Sequence, residues 1–156
     1  MLLQLNIQDF AIVRSLDIDW QKGMTTITGE TGAGKSIIVQ ALARIAGRRS
    51  DASLIRQGAH KAEISATFSI ESNSSVLAYL KSQDLENDFE CIIRRVILSD
   101  GKSRSYINGS KVPLSVLSEV GASLIDMHGQ NEHQLLLRPS HHRILLDDYA
   151  GSQKLC

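Results

Sequence analysis

The chain has few of the features of secreted, disulfide-bonded or membrane proteins. Only two of its 156 residues are cysteines, Cys91 and Cys156, which are too few for a disulfide framework. No apolar run approaches the roughly 20 residues that span a bilayer, so we expect no membrane contact. The start, MLLQLNIQDFAIV, lacks the basic residues and unbroken apolar stretch of a signal peptide. We therefore expect a cytoplasmic protein with reduced thiols, Cys91 being buried.

Neither sign of charge is in excess. The 17 Lys and Arg residues balance 17 Asp and Glu residues, which gives a formal net charge of zero. Such a chain is not a polycation that coats nucleic acid, so any DNA contact must come from a local patch or a partner. Because no stacking aromatics are interleaved with its basic stretches, we interpret them as solvated faces. They are Arg48, Arg49, Arg56, His60 and Lys61, and Arg94, Arg95, Lys102 and Arg104.

What the sequence does contain is a phosphate-loop motif. Residues 24–28 are apolar and β-branched and predict a buried strand, and residues 29–36, GETGAGKS, fit G-x-x-x-x-G-K-[ST] at every fixed position. Apolar residues then recur at helical spacing from 37 to 46. Strand, glycine loop and helix together form the context in which this motif binds nucleotides.

The residue types of the loop explain how it would hold a triphosphate. Glycines permit backbone angles that turn successive N–H groups inward, and the following helix adds its positive end. We expect the Lys35 ammonium to reach the β- and γ-phosphates and the Ser36 hydroxyl to bind Mg²⁺. The predicted nucleotide-binding residues are Gly29, Glu30, Thr31, Gly32, Ala33, Gly34, Lys35, Ser36 and Ile37.

The remaining pattern predicts an α/β fold. Alternating or apolar stretches predict strands at 2–7, 11–20, 61–70, 90–98, 103–107, 111–113 and 122–127. Helical spacing or capping residues predict helices at 76–81, 113–120 and after Ser140. With the strand at 24–28, the phosphate loop therefore follows the third predicted strand, whereas in many simple P-loop kinases it follows the first.

A second polar segment, HGQNEHQ at 128–134, follows the predicted strand 122–127. Ligand chemistry in α/β sheets lies at the carboxyl ends of strands. The amide of Gln130 could face Mg²⁺ or water with its oxygen and phosphate with its NH₂ group. Taken alone, the segment also fits a solvated loop. A zinc site at His128, His133, His141 and His142 is disfavoured because no cysteine lies nearby.

Four segments in order carry a family resemblance. They are LNIQDFAIVRSLDIDW, GMTTITGETGAGKS, SLIRQGAHKAEISATF and LIDMHGQNEHQ. Over nearly the whole chain they resemble the start of the RecN family, bacterial DNA-repair ATPases related to the structural-maintenance-of-chromosomes (SMC) proteins. Many families share the phosphate loop, whereas the order of the other segments makes this resemblance specific.

The resemblance implies a P-loop NTPase fold of the ABC/SMC-type ATPase head, with an antiparallel β-subdomain. It gives Walker A roles to Gly29, Gly34, Lys35 and Ser36, and makes Gln130 the Q-loop glutamine, with Lys35 and Gln130 catalytic and Ser36 and Gln130 at the metal. The implied cofactors are ATP and Mg²⁺. In the complete protein, ATP would join two heads as a homodimer on DNA during double-strand break repair and recombination, at the bacterial nucleoid.

The same resemblance implies an incomplete head. In this family both ends of a longer chain build the head, so residues 1–156 are expected to be its N-terminal lobe, with the coiled coil and C-terminal lobe missing. Sustained heptads, a signature motif and a Walker B segment are not found. The stretch ILLDD at 144–148 looks like Walker B, but it follows a helix-capping signal. We therefore expect ATP binding by this chain, with negligible turnover.

Two alternatives stay open. A small-molecule P-loop kinase would need an acceptor site and an arginine-rich lid, and the hairpin-rich middle of the chain argues against it. The other alternative is a non-catalytic fragment that binds nucleotide weakly or is stable only with its missing half. By the resemblance to SMC-like heads, Arg56 is a further candidate for contact with nucleotide or DNA.

Overall fold

A six-stranded antiparallel sheet organises the part of the chain that the structure, a computed structural model, describes, residues 1–29 and 34–127. Its strands are β1 (Leu2–Phe10), β2 (Val13–Asp19), β3 (Lys61–Ser69), β4 (Glu90–Leu98), β5 (Ser103–Ile107) and β6 (Ser110–Val112). Their order is β2-β1-β3-β4-β5-β6. The helices are α1 (Lys35–Ile45), α2 (Ser74–Ser82) and α3 (Leu114–Leu124), with a 3₁₀ turn at Ala52–Leu54.

The strands form where apolar and polar residues alternate. In β3, Ala62, Ile64, Ala66 and Phe68 are buried, while the residues between them are half-buried. A period of two places all four on one face of the sheet, which is the face that packs against the helices. The predicted strands at 2–7, 11–20, 61–70, 90–98 and 103–107 are confirmed to within a few residues.

The core lies between this face and the helices, within the compact unit Met1–Ile125. α1 packs on β3 and β4, and α3 packs on β5 and on α1. The second unit, Asp126–Cys156, is described only at residues 126 and 127. No described helix has the length and apolar character needed to cross a membrane. The buried residues from α1 and α3 are Ile37, Ile38, Ala41, Ala43, Ile45, Leu117, Val120 and Gly121.

The strand predicted at residues 24–28 is wrong. The structure describes these residues outside any strand, with Met24 97% and Ile27 43% exposed. A strand forms only where a neighbour accepts and donates its backbone hydrogen bonds. Every strand pairing in the described sheet involves other segments, so the apolar run has no partner there.

The strand predicted at 122–127 is also wrong. α3 continues through Leu124, and residues 125–127 belong to no strand. Leu117, Val120 and Leu124 keep the helical spacing of three and four residues on the core side, so burial favours continuing the helix. Ile125 is the C-cap of α3, and its N–H donates to the carbonyl oxygen of Gly121 at 2.9 Å in the final turn of the helix.

Candidate nucleotide-binding site

The N-terminal end of α1 is suited to an anion. Its N-cap residue is Gly34, whose φ of 92° lies in the left-handed region that favours glycine. As a glycine, Gly34 has no side chain that could cap this end, and the first turn of α1 contains no acidic residue. The first N–H groups of a helix have no intrahelical acceptor, and they lie at the positive end of the helix dipole. The local structure therefore leaves donors and positive potential for a phosphate.

Lys35 connects the two described ends of the loop. Its side chain is half-buried, and Nζ donates to the carbonyl oxygen of Gly29. The ammonium therefore contacts the first glycine of the motif. The next residue, Ser36, is exposed, which leaves its hydroxyl accessible at the same helix end. One cation and one hydroxyl therefore lie beside the free helix N-terminus.

The described groups fit a nucleotide phosphate chain and its Mg²⁺. A polyphosphate needs N–H donors and a cation, which α1 and Lys35 provide, and a hydroxyl such as that of Ser36 suits a hard metal ion. The amide of Ile37 instead donates to the carbonyl oxygen of Gly34 at 3.0 Å, and its side chain is buried in the core. Its predicted place among the nucleotide ligands stays a prediction.

Several predicted site residues lie outside the described residues. These are Glu30, Thr31, Gly32, Ala33 and Gln130, together with the Walker B look-alike at 144–148 and His128, His133, His141 and His142. Within residues 1–29 and 34–127, no group of three His, Cys, Asp or Glu side chains is placed to hold a metal ion.

Comparison with known proteins decides the family. The sequence profile of the AAA domain family matches residues 4–145. The chain belongs to the AAA domain family. This AAA domain is 50% identical to the DNA repair protein RecN of Vibrio cholerae over 99% of the chain. It is 46% identical to RecN of Haemophilus influenzae, also over 99% of the chain. These matches confirm the predicted resemblance to RecN.

The same comparisons show how much of each relative's length this chain covers. This AAA domain spans 28% of the length of each of these two curated relatives. Among solved structures, the Smc head domain of Pyrococcus furiosus, bound to the C-terminal domain of ScpA, matches with a TM-score of 0.71 and 25% identity. That match covers 96% of this chain and 42% of the other. The predicted ABC/SMC-type head fold, as an incomplete part of a longer chain, is confirmed.

Arg56, the further candidate, is held by a local ion pair. Its Nε lies 2.7 Å from Oδ1 of Asp9, and its backbone N–H donates to the Asp9 carbonyl oxygen at 2.8 Å. Both side chains are about one-third exposed, at 30% and 35%. The loop after the 3₁₀ turn is thereby fixed to the end of β1, and one edge of the guanidinium is already occupied.

One residue of the second basic stretch was misplaced by sequence reasoning. Arg95 is fully buried rather than solvated, because the alternation of β4 places it on the core face with Ile93 and Ile97. Burial, and secondarily the Arg44 charge, lowers the pKa of Arg95 to about 10. At neutral pH its guanidinium therefore remains charged inside the core. Because side chains alternate between the two faces of a strand, Arg95 lies on the same face as Ile93, and this pattern in the sequence predicts its burial.

The opposite face of the sheet, which we call the open face, carries Arg94 and Arg104 of the same basic stretch. The Arg94 guanidinium lies 4.3 Å from the centre of the Tyr106 ring and 3.2 Å from Oε1 of Glu63. Lys111 is the Cα partner of Tyr106 on β6, and Arg104 lies two residues before Tyr106 on β5. Both Lys111 and Arg104 are exposed. The open face of β4–β6 is therefore basic, with one aromatic ring.

The open face of β1 and β2 has the opposite character. Nε2 of Gln4 donates to Oδ1 of Asp19 at 3.0 Å, and Nδ2 of Asn6 donates to Oδ1 of Asp17. Both aspartates are exposed. The chain as a whole is neutral, yet this one surface separates acidic strands at one side from basic strands at the other.

The end of α1 farthest from the loop is closely packed. A Cβ on Gly121 of α3 would lie 2.7 Å from the Cα of Ala46, and one on Gly47 would lie 2.6 Å from Ser118. Contacts this short exclude any side chain at either glycine. Two backbones therefore meet where α1 ends, and the position of this helix end is tightly constrained.

Proposed function

We propose that this AAA domain binds ATP with Mg²⁺ at the phosphate loop 29–36 and serves as the N-terminal lobe of an SMC-like head in DNA repair. The observation that carries the proposal is the N-terminus of α1 behind Gly34, an N-cap without a side chain, with the Lys35 ammonium bonded to the carbonyl oxygen of Gly29. When bound, Mg²⁺ would neutralise phosphate charge. The chain's own groups bind and orient: Lys35 as a cation and Ser36 as a hydroxyl ligand.

The rest of the proposal draws on the relatives. Residues 1–156 would be completed by a C-terminal lobe beyond a coiled coil, and two completed heads would join through ATP. The RecN relatives are named as DNA repair proteins, which supports double-strand break repair and recombination as the process. With chromosomal DNA as its substrate, the protein would act at the bacterial nucleoid. Gln130 would act as the Q-loop glutamine at the metal.

Loss of nucleotide binding in Lys35→Ala tests the central part of this proposal. We expect the 156-residue chain to bind a fluorescent ATP analogue with Mg²⁺ and the variant to lose about 100-fold in affinity, because a charge-assisted contact to phosphate is removed. Lys22→Ala, which removes an exposed lysine from the turn before the loop, is the matched control. Equal binding by wild type and Lys35→Ala, or no binding by wild type, contradicts the proposal.

DNA contact is assigned to the basic half of the open face. Arg104 and Lys111 are exposed beside Tyr106, whose ring already lies against the Arg94 guanidinium. A cationic strip with an aromatic ring suits a phosphate backbone, and the acidic β1–β2 side would keep DNA toward β4–β6. A local patch of this kind reconciles DNA binding with a net charge of zero.

Charge reversal tests the DNA-binding face. We expect Arg104→Glu/Lys111→Glu to weaken binding to a double-stranded oligonucleotide by about tenfold or more at low salt. The slope of log affinity against log salt should fall by about 2, as for two lost phosphate contacts. The control Lys22→Glu/Lys81→Glu changes net charge equally at exposed lysines outside β4–β6. If both double variants weaken binding alike, only net charge matters and the open face is not the site.

A further inference from the structure

A buried guanidinium holds the far end of α1. Nη1 of Arg95 donates to the carbonyl oxygens of Arg44 at 2.9 Å and Arg48 at 3.4 Å. The Arg44 carbonyl lies in the last turn of α1, at the negative end of the helix dipole, where a cation is favourable, and the Arg48 carbonyl lies in the loop that follows. Nη2 donates to the hydroxyls of Ser50 at 3.3 Å and Ser103 at 3.0 Å. One side chain of β4 therefore joins the end of α1, the following loop and β5.

The hydrogen bonds of the Arg95 guanidinium are more than a side chain needs for packing in this core position. Within the described residues, every hydrogen-bond acceptor of Arg95 is a neutral carbonyl or hydroxyl, and its Nε has no partner. Burying a guanidinium without a carboxylate is costly, and an apolar side chain would fill the space at lower cost. What a guanidinium adds is a rigid, planar set of donors that fixes several oxygens at once.

We propose that Arg95 is a positioning residue for the phosphate loop. By fixing the opposite end of α1 on β4 and β5, Arg95 orients Lys35 and Ser36. α1 has 11 residues and is therefore about 16 Å long, so a tilt at its anchored end moves its first turn. The close approach of Gly121 to Ala46 makes the same end a pivot. The proposal rests on the nucleotide-binding function proposed above.

The test compares nucleotide affinity with fold stability in matched variants of the 156-residue chain. Arg95→Met keeps the apolar stem, and Arg95→Lys keeps the charge without the planar donors. Arg14→Met is the control, because it removes an exposed guanidinium from β2, outside the phosphate loop and the basic half of the open face. Affinity for a fluorescent ATP analogue with Mg²⁺ is measured below each variant's unfolding temperature, with folding checked by circular dichroism.

We expect both Arg95 variants to bind the analogue about tenfold more weakly while folded, since small misplacements of binding groups are costly. Arg14→Met should change affinity less than twofold. Amide hydrogen exchange should increase at residues 34–38 as well as at 44–48 in the Arg95 variants. Loss of overall stability would raise exchange throughout the core, so the readout specific to positioning is an increase at residues 34–38 that exceeds the increase in β1 and β3.

The outcomes separate this inference from the proposed function. If folded Arg95→Lys and Arg95→Met bind the analogue as wild type does, Arg95 only stabilises the fold and the inference is overturned. Should Arg95→Met fail to fold, the affinity of Arg95→Lys decides alone. If wild type itself does not bind the analogue while remaining folded, the proposed nucleotide-binding function fails first.

Discussion

ATP hydrolysis is expected to be negligible for residues 1–156 alone and to rise by about 100-fold or more when the C-terminal half of a RecN-like head is supplied. Phosphoryl transfer depends on positioning and on neutralising charge around the γ-phosphate. The described residues provide a cation, Lys35, and a hydroxyl, Ser36, whereas the acid that orients water is expected from the C-terminal half of such a head. Phosphate release by the chain, with and without the added half, measures this.

Lys35→Ala is the control for that experiment, because activity that survives the variant does not come from this phosphate loop. Turnover by the isolated chain would contradict the expectation. The catalytic acid would then lie within residues 1–156, and Asp147 and Asp148 would become candidates. Phosphorylation of a small molecule in place of phosphate release would instead favour the kinase alternative.

Phe68→Ala is expected to lower the free energy of unfolding by about 3–5 kcal/mol. Phe68 is 1% exposed on β3, between β1 and β4, and its Cα partners are Leu2 and Cys91. Removing the ring leaves a cavity that a central strand cannot collapse to fill, since both neighbouring strands are fixed by hydrogen bonds. The loss is a large part of the roughly 5–15 kcal/mol that stabilises a typical domain.

The chain offers a matched control in Phe89→Ala. Phe89 is 59% exposed, so the same truncation should change stability by less than about 0.5 kcal/mol. Urea denaturation followed by circular dichroism gives both values from the shift of the midpoint. Similar midpoints for the two variants would show that Phe68 does not pack in the core of the sheet.

The parts of the fold that depend on local pattern were predictable. β3 and β4 alternate strictly, and α1 repeats its apolar residues at helical spacing, so one face of each is determined by its own residues. Residues 24–28 carry an equally good strand pattern, yet a strand also needs a neighbour, and no local pattern provides one. Short apolar runs such as 122–127 do not distinguish helix from strand by period alone.

The candidate site was predictable to the extent that its motif is contiguous. Gly29, Gly34, Lys35 and Ser36 come together because they are close in sequence and a helix begins between them. Arg95 was missed because its partners in α1 and in the loop after it are distant in sequence, at separations of 51 and 47 residues. The alternation with Ile93 and Ile97 indicates that Arg95 is buried, whereas no feature of the sequence indicates which atoms accept its hydrogen bonds.

The two outer strands of the sheet affect how copies of this chain meet. An unpaired strand edge is a template for another chain, and association along it leads to aggregation. β6 has only three residues, which offer few free backbone groups. β2 is longer, but its exposed Arg14, Asp17 and Asp19 would bring like charges together in many registers. The described sheet therefore has few free backbone groups at one edge and exposed charges at the other, and both features disfavour association along an edge.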